Sequence, residues 1–263
     1  MLRERVCRTI VAIGGLAFVV LWFLNPTFSK DKTTQELLRS LVSHILGSIV
    51  FAALLLFVGN RLWTRPTLRH AALVVPALLI AVNNFPIIAL ASGNAVIEKW
   101  NLFLPLLLDC FLIGVFEEFA FRGTLFLALL QKHHKTRAQV IRVTVLSAAL
   151  FGLVQFANLL EGAGIVPTLM QVGYSFLIGG MCSIVLLRTG NLFYCVLIHG
   201  VYDLGGRLLL LGGGNQWDRT TVVITVILSV LVTAWMIWML LCTTTADADR
   251  FFKKKRVTDH AST

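Results

Sequence analysis

Residues 101–130 read NLFLPLLLDCFLIGVFEEFAFRGTLFLALL, a run longer than the roughly 20 apolar residues that cross a hydrocarbon core, yet one that carries Asp109, Glu117, Glu118 and Arg122. A charged side chain at bilayer depth costs about 3 kcal/mol or more, so these four groups must face protein rather than lipid, and the run reads as one member of a helix bundle. Apolar runs on either side, near 9–26, 44–63, 71–92, 138–158, 166–187, 190–212 and 220–242, complete an expected set of about eight transmembrane helices. The expected fold class is therefore all-α, a polytopic membrane bundle. It divides into helices 1–3 over residues 1–100, a polar-cored set of four helices over 101–212, and a last helix with a basic tail over 213–263.

The composition agrees. Of 263 residues 57% are hydrophobic and 14% charged, with a mean hydropathy of +0.82, whereas soluble domains carry roughly 25% charged residues, so a soluble globular enzyme is excluded. The net charge of +10 does not form a nucleic-acid-binding face, because the cations sit in short clusters between apolar runs. Those clusters set the orientation. Arg3, Arg5 and Arg8, then Arg61, Arg65 and Arg69, then Lys132, Lys135, Arg137 and Arg142, then Arg188, then Arg250, Lys253, Lys254, Lys255 and Arg256 put sixteen cations on one side, while Lys30, Lys32, Arg39, Lys99, Arg207 and Arg219 put six on the other. Positive loops stay in the cytoplasm, so both termini are expected there. The first run ends in Asn25-Pro26 without a small-residue cleavage site and is expected to be a retained anchor rather than a signal peptide. The five cysteines lie in or beside apolar runs without CxxC spacing, which implies neither a disulfide scaffold nor a zinc ribbon. Trp22, Trp63, Trp100 and Trp217 fall near span ends, as an interfacial belt would. The basic end is expected to be a stop-transfer flank, with anionic lipid binding as the alternative.

Ionisable groups inside the spans cluster in the second half of the chain. Glu118 and Arg122 are at i,i+4 and share a helix face, so they are expected to form an ion pair. Glu117 points about 100° away and is left without that partner, free for proton chemistry. His199, Asp203 and Arg207 follow the same spacing on the run 190–212, so Asp203 is expected either to orient His199 or to be neutralised by Arg207. Gln155 and Asn158 supply amides on the run 138–158, and Asp109 either lines the same interior or approaches the outer interface.

Glu117-Glu118-Phe119-Ala120-Phe121-Arg122 is an EExxxR motif. Phe151-Gly152-Leu153-Val154-Gln155 stands in the place of an FxxxH motif, and His199-Gly200-Val201-Tyr202-Asp203 is an HxxxN/D motif. In this order, on successive apolar runs, they resemble the CPBP family of CAAX proteases and bacteriocin-processing or self-immunity proteins, also called the Abi or type II CAAX prenyl endopeptidase family. The resemblance covers about residues 101–212. It implies an intramembrane endopeptidase that cleaves a membrane-anchored or amphipathic peptide by a glutamate-activated water. Glu117 would be the catalytic carboxylate, Glu118 and Arg122 the supporting pair, and His199 and Asp203 the groups that hold the scissile carbonyl. No cofactor is required in that mechanism; a divalent metal such as zinc, if any, would fall to Glu117 and His199. The departure is Gln155, which replaces the histidine that ends the second motif and which cannot take up a proton. The other histidines offer no replacement from sequence: His133 and His134 sit in a Lys-rich loop, His44 starts a span, and His70 and His260 lie in basic or tail segments.

Three functional classes follow, in this order: an active intramembrane protease; a catalytically weakened relative acting in bacteriocin self-immunity or as a regulatory scaffold, which Gln155 favours; and a proton-coupled transporter, which lacks the expected repeat or paired broken helices. The expected location is a multi-pass integral membrane protein, in the plasma membrane if bacterial, with the lipid bilayer and a peptide as partners, no nucleic acid, and an open oligomeric state.

Overall fold

The computed structural model describes residues 26–58 and 62–252 together with positions 9, 13, 14 and 16. Nearly all of the expected first span, Arg3 to Arg8, Arg61, Lys253 to Arg256 and His260 lie outside the described residues.

Helix α1 (Lys32–Val58) begins well before the expected residue 44. Asp31 caps its start by accepting the Thr34 N–H at 2.9 Å, and it also receives Lys99 Nζ at 2.8 Å. That hydrogen bond from Lys99 is the main cause that holds the exposed Asp31 carboxyl down at about 2. The helix therefore has a polar first turn before its apolar body, and His44 falls mid-helix rather than at its start.

The run expected over 71–92 is broken into α2 (Leu68–Asn83) and α3 (Ile87–Ala91). The break sits at Phe85-Pro86, because proline disfavours helical backbone in the residue before it. Strand β1 (Ala95–Ile97) and a single 3-10 turn (Trp100–Leu102) then lead into the central helix. That helix is α4 (Phe103–Glu118), a π-helical stretch (Phe119–Phe126) and α5 (Leu127–Lys132) without interruption. The widened turn is sealed by Thr124, whose hydroxyl donates to the Phe119 carbonyl at 2.9 Å. A π-stretch within an α-helix is frequently found at a functional site, and this one starts directly after Glu117 and Glu118.

Helix α6 (Arg137–Val154) opens on a capping box between Thr136 and Gln139 and tightens into a 3-10 stretch (Gln155–Glu161). Helix α7 (Ile165–Thr189) ends at Gly190 in left-handed backbone (φ 68°), which a glycine adopts without strain. Helix α8 (Leu192–Arg207) follows, capped by Asn191, and passes through a 3-10 turn (Leu208–Leu211) into strand β2 (Gly212–Gly214). Helix α9 (Arg219–Leu241), capped by Asp218, and the short α10 (Thr245–Asp249) complete the described chain.

Five stretches among the described residues are long and apolar enough to cross a membrane: Lys32–Phe57, Arg137–Leu160, Ile165–Thr189, Leu192–Leu211 and Arg219–Leu241. Among the described residues the structure is helical apart from one antiparallel ribbon, in which Val96 pairs with Gly213, and an isolated antiparallel bridge between Trp63 and Asn191. Three-residue strands, one of them all glycine, leave no alternation for a sequence reading to find.

Helix α4 is the centre of the bundle, packed against α1 on one side and α8 on the other, while α7 joins α6 to α8. The α4–α8 crossing is close because glycine stands on both helices. A Cβ on Gly114 would lie 2.8 Å from the Val196 carbonyl oxygen, and one on Gly200 3.3 Å from the Cys110 carbonyl oxygen. In lipid, where no hydrophobic drive pulls helices together, such small-residue contacts supply the packing. This crossing sets the distance between the last turn of α4 and the middle of α8.

Candidate active site

Glu118 and Arg122 form the expected pair, with Arg122 NH1 2.9 Å from Glu118 Oε1, and both side chains are buried. Glu118 also does what its sequence spacing did not show. The same oxygen accepts from His199 Nδ1 at 2.7 Å, so one carboxylate neutralises the guanidinium and fixes the imidazole. The guanidinium carbon lies 4.2 Å over the Phe151 ring, and that ring meets His199 edge to face at 5.8 Å between centroids. Gly179 on α7 leaves room for this stack, since a Cβ there would come within 3.0 Å of both Arg122 NH2 and the Phe151 ring. Phe151, the first residue of the FxxxQ segment, is thus the packing floor of the site.

With Nδ1 committed to Glu118, the His199 Nε2 faces the interior of the bundle. Glu117 Oε2 and Asp203 Oδ2 each lie 3.5 Å from it. Glu117 keeps 23% of its side chain accessible, against none for Glu118, as the 100° offset between the two requires. Of the two expected roles, Asp203 takes up the position beside His199, while the direct ion pair of Arg207 is with the fully buried Asp109, whose Oδ2 lies 2.6 Å from Arg207 NH1. Asp109 is fully buried behind the cavity-lining residues, and Ser40 and His44 of α1 also bind it, at 2.7 and 3.0 Å.

Glu117, His199, Asp203, Arg207, His44 and Gln155 line one cavity of about 630 Å³. Gln155 is therefore brought to the site, at the point where α6 tightens. Its amide oxygen accepts from Gln171 Nε2 at 3.1 Å, and Gln171 in turn accepts from Asn158 Nδ2 at 2.7 Å. The amides of Gln155 and Asn158 thus belong to one chain linking the end of α6 to α7. Asn84, the residue that caps the end of α2, lines the cavity too and donates to the Tyr202 carbonyl at 2.7 Å.

His44 is a further functional candidate, since it lines the cavity from α1. A Ser40–His44 pair at i,i+4 was a visible signal, but its partner Asp109 is on a different helix, and the spacing between them carries no pattern. The remaining described histidines stay away from the cavity, His134 against Asp249 and His70 edge-on to Tyr194.

The donor set fits a catalytic zinc ion poorly. Catalytic zinc takes three protein ligands that usually include two or more nitrogens, whereas the groups within 3.5 Å of His199 Nε2 are the two carboxylates of Glu117 and Asp203. A convergence of potential ligand atoms within 4.8 Å occurs instead at Glu118, Cys182 and Cys195. There Glu118 already holds Arg122 and His199, and the Cys195 thiol donates to the Cys182 carbonyl at 3.1 Å.

No curated protein and no solved structure gives a match to the chain. Residues 99–205, which supply Glu117, Glu118, Arg122, Gln155, His199 and Asp203, match the model of a protease family, described as type II CAAX prenyl endopeptidase Rce1-like.

Proposed function

We propose that this protein is an intramembrane endopeptidase in which Glu117 activates a water for attack on a peptide bond of a membrane-anchored or amphipathic substrate. The observation that carries the reading is the division of labour between two adjacent carboxylates. Glu118 is consumed by Arg122 and His199, while Glu117 faces the cavity with only the looser 3.5 Å approach to His199. Glu117 takes a proton from water as the hydroxyl adds to the scissile carbonyl carbon. His199 Nε2, with Asp203 beside it, stands where a developing oxyanion would be stabilised by a fixed donor. Collapse of the tetrahedral intermediate breaks the C–N bond, and a proton passes to the leaving amine.

A second reading is favoured by Gln155. A weakened relative that binds a peptide or partner without cleaving it, in self-immunity or as a regulatory scaffold, would retain the cavity and lose the proton-transferring histidine of the second motif. The two readings separate in a comparison of membrane peptides from cells expressing the wild type or Glu117→Gln. Peptide termini beside membrane anchors that vanish with Glu117→Gln support the protease. Identical peptide profiles, with a binding or immunity phenotype kept by both, support the non-cleaving relative.

A further inference from the structure

The family position that calls for a histidine holds Gln155, yet the cavity is lined by a second imidazole that comes from another helix. His44 belongs to α1, outside the matched residues 99–205, and lines the same cavity as Glu117, His199 and Asp203. Its Nδ1 lies 3.0 Å from Asp109 Oδ1. Asp109 is fully buried on α4, two turns before Glu117, and is held by Ser40 Oγ at 2.7 Å and Arg207 NH1 at 2.6 Å. A carboxylate clamped in this way accepts from Nδ1, which fixes the tautomer and leaves Nε2 as the nitrogen available for proton transfer. The ring is 20% accessible, and it packs at 5.9 Å between centroids against Phe116, the residue before Glu117. An aspartate that orients a histidine whose ring lines the same cavity as a carboxylate base has the parts of an acid–base arrangement.

We propose that His44 is the acid–base partner of Glu117, with Asp109 as its positioning residue, and that it supplies from α1 the proton transfer for which Gln155 has no capacity. The proposal rests on the protease reading of the site. Glu117 takes one proton from water as the hydroxyl adds to the carbonyl carbon; that proton passes by way of His44 Nε2 to the amide nitrogen as the C–N bond breaks, which returns both side chains to their starting states. The charged groups that govern this transfer are Asp109 and Glu117 on α4 and His199, Asp203 and Arg207 on α8, with the Ser40 hydroxyl beside the ring.

The test uses the full-length protein in proteoliposomes and a panel of internally quenched peptides, some amphipathic and some carrying a farnesyl-cysteine, across pH. His44→Asn keeps a nitrogen toward Asp109 but cannot carry the proton. It is expected to lower kcat by about 10²–10⁴ with KM nearly unchanged and to remove one limb of the pH–rate profile. Adding Gln155→His to His44→Asn is expected to restore at least about tenfold of the loss, which a merely structural role for His44 would not allow. Asp109→Asn shifts the same limb. Should His44→Asn fail to fold, the Asp109→Asn pH profile carries the test. A wild-type rate and pH profile in the tested variant overturn the proposal, and so does a wild type that cleaves nothing while Gln155→His cleaves. If Glu117→Gln cleaves like the wild type, or if none of these proteins cleaves any peptide, the protease reading itself fails instead.

Discussion

Glu118 and Glu117 are neighbours in sequence and opposites in role, and mutation separates them. Arg122→Ala leaves the buried Glu118 carboxylate without its counter-charge, a change that costs about 3–5 kcal/mol in comparable buried pairs. Thermal unfolding in detergent should therefore show a large loss of stability for Arg122→Ala, while Glu117→Gln, partly accessible and without a tight partner, should stay within about 1 kcal/mol of the wild type. Equal stability of the two variants would contradict the division of labour. The pair Glu118–Arg122 was readable from its i,i+4 spacing alone, and the candidate set Glu117, His199 and Asp203 from motif order. What the sequence did not show is that Glu118 also holds His199, because a contact across 81 residues has no local signature. The same limit hid His44, whose partner Asp109 lies 65 residues away.

The crossing of α4 and α8 is the element on which the site depends. Gly114→Val would drive side-chain atoms into the Val196 backbone, where even a Cβ lies at 2.8 Å, so the helices must separate and carry Glu117 and Glu118 away from His199. Overpacking of this kind costs about 1–3 kcal/mol, and cleavage should fall with it. Gly173→Ala on α7 is the control, since a Cβ there meets nothing within 4 Å. Unchanged activity in Gly114→Val would show that the crossing does not set the site. Most elements were legible because length and hydropathy alone mark a spanning helix: the runs 138–158, 166–187, 190–212 and 220–242 correspond to the cores of α6, α7, α8 and α9. The departures have local causes. Phe85-Pro86 breaks one run, the capped polar turn at Asp31 extends another, and the π-stretch after Glu118 and the three-residue β-ribbon leave no periodic trace.

Across the whole molecule, the basic loop with Lys132, Lys135 and Arg137 and the β-ribbon lie at opposite ends of the central helix. Gln216 and Trp217, next to the ribbon strand β2, line the cavity. If basic loops face the cytoplasm, the cavity is served from the other face. In a background without Cys7 and Cys242, a membrane-impermeant maleimide should label Trp217→Cys in right-side-out vesicles and Lys135→Cys only in inverted ones; the reverse pattern would contradict this orientation. The most direct measurement is hydrolysis by the reconstituted protein in water enriched in oxygen-18, read by mass spectrometry of the product peptides. Hydrolysis by a Glu117-activated water predicts one heavy oxygen in each new carboxyl terminus with the wild type and no product above background with Glu117→Gln. Equal labelled product from both proteins would contradict it.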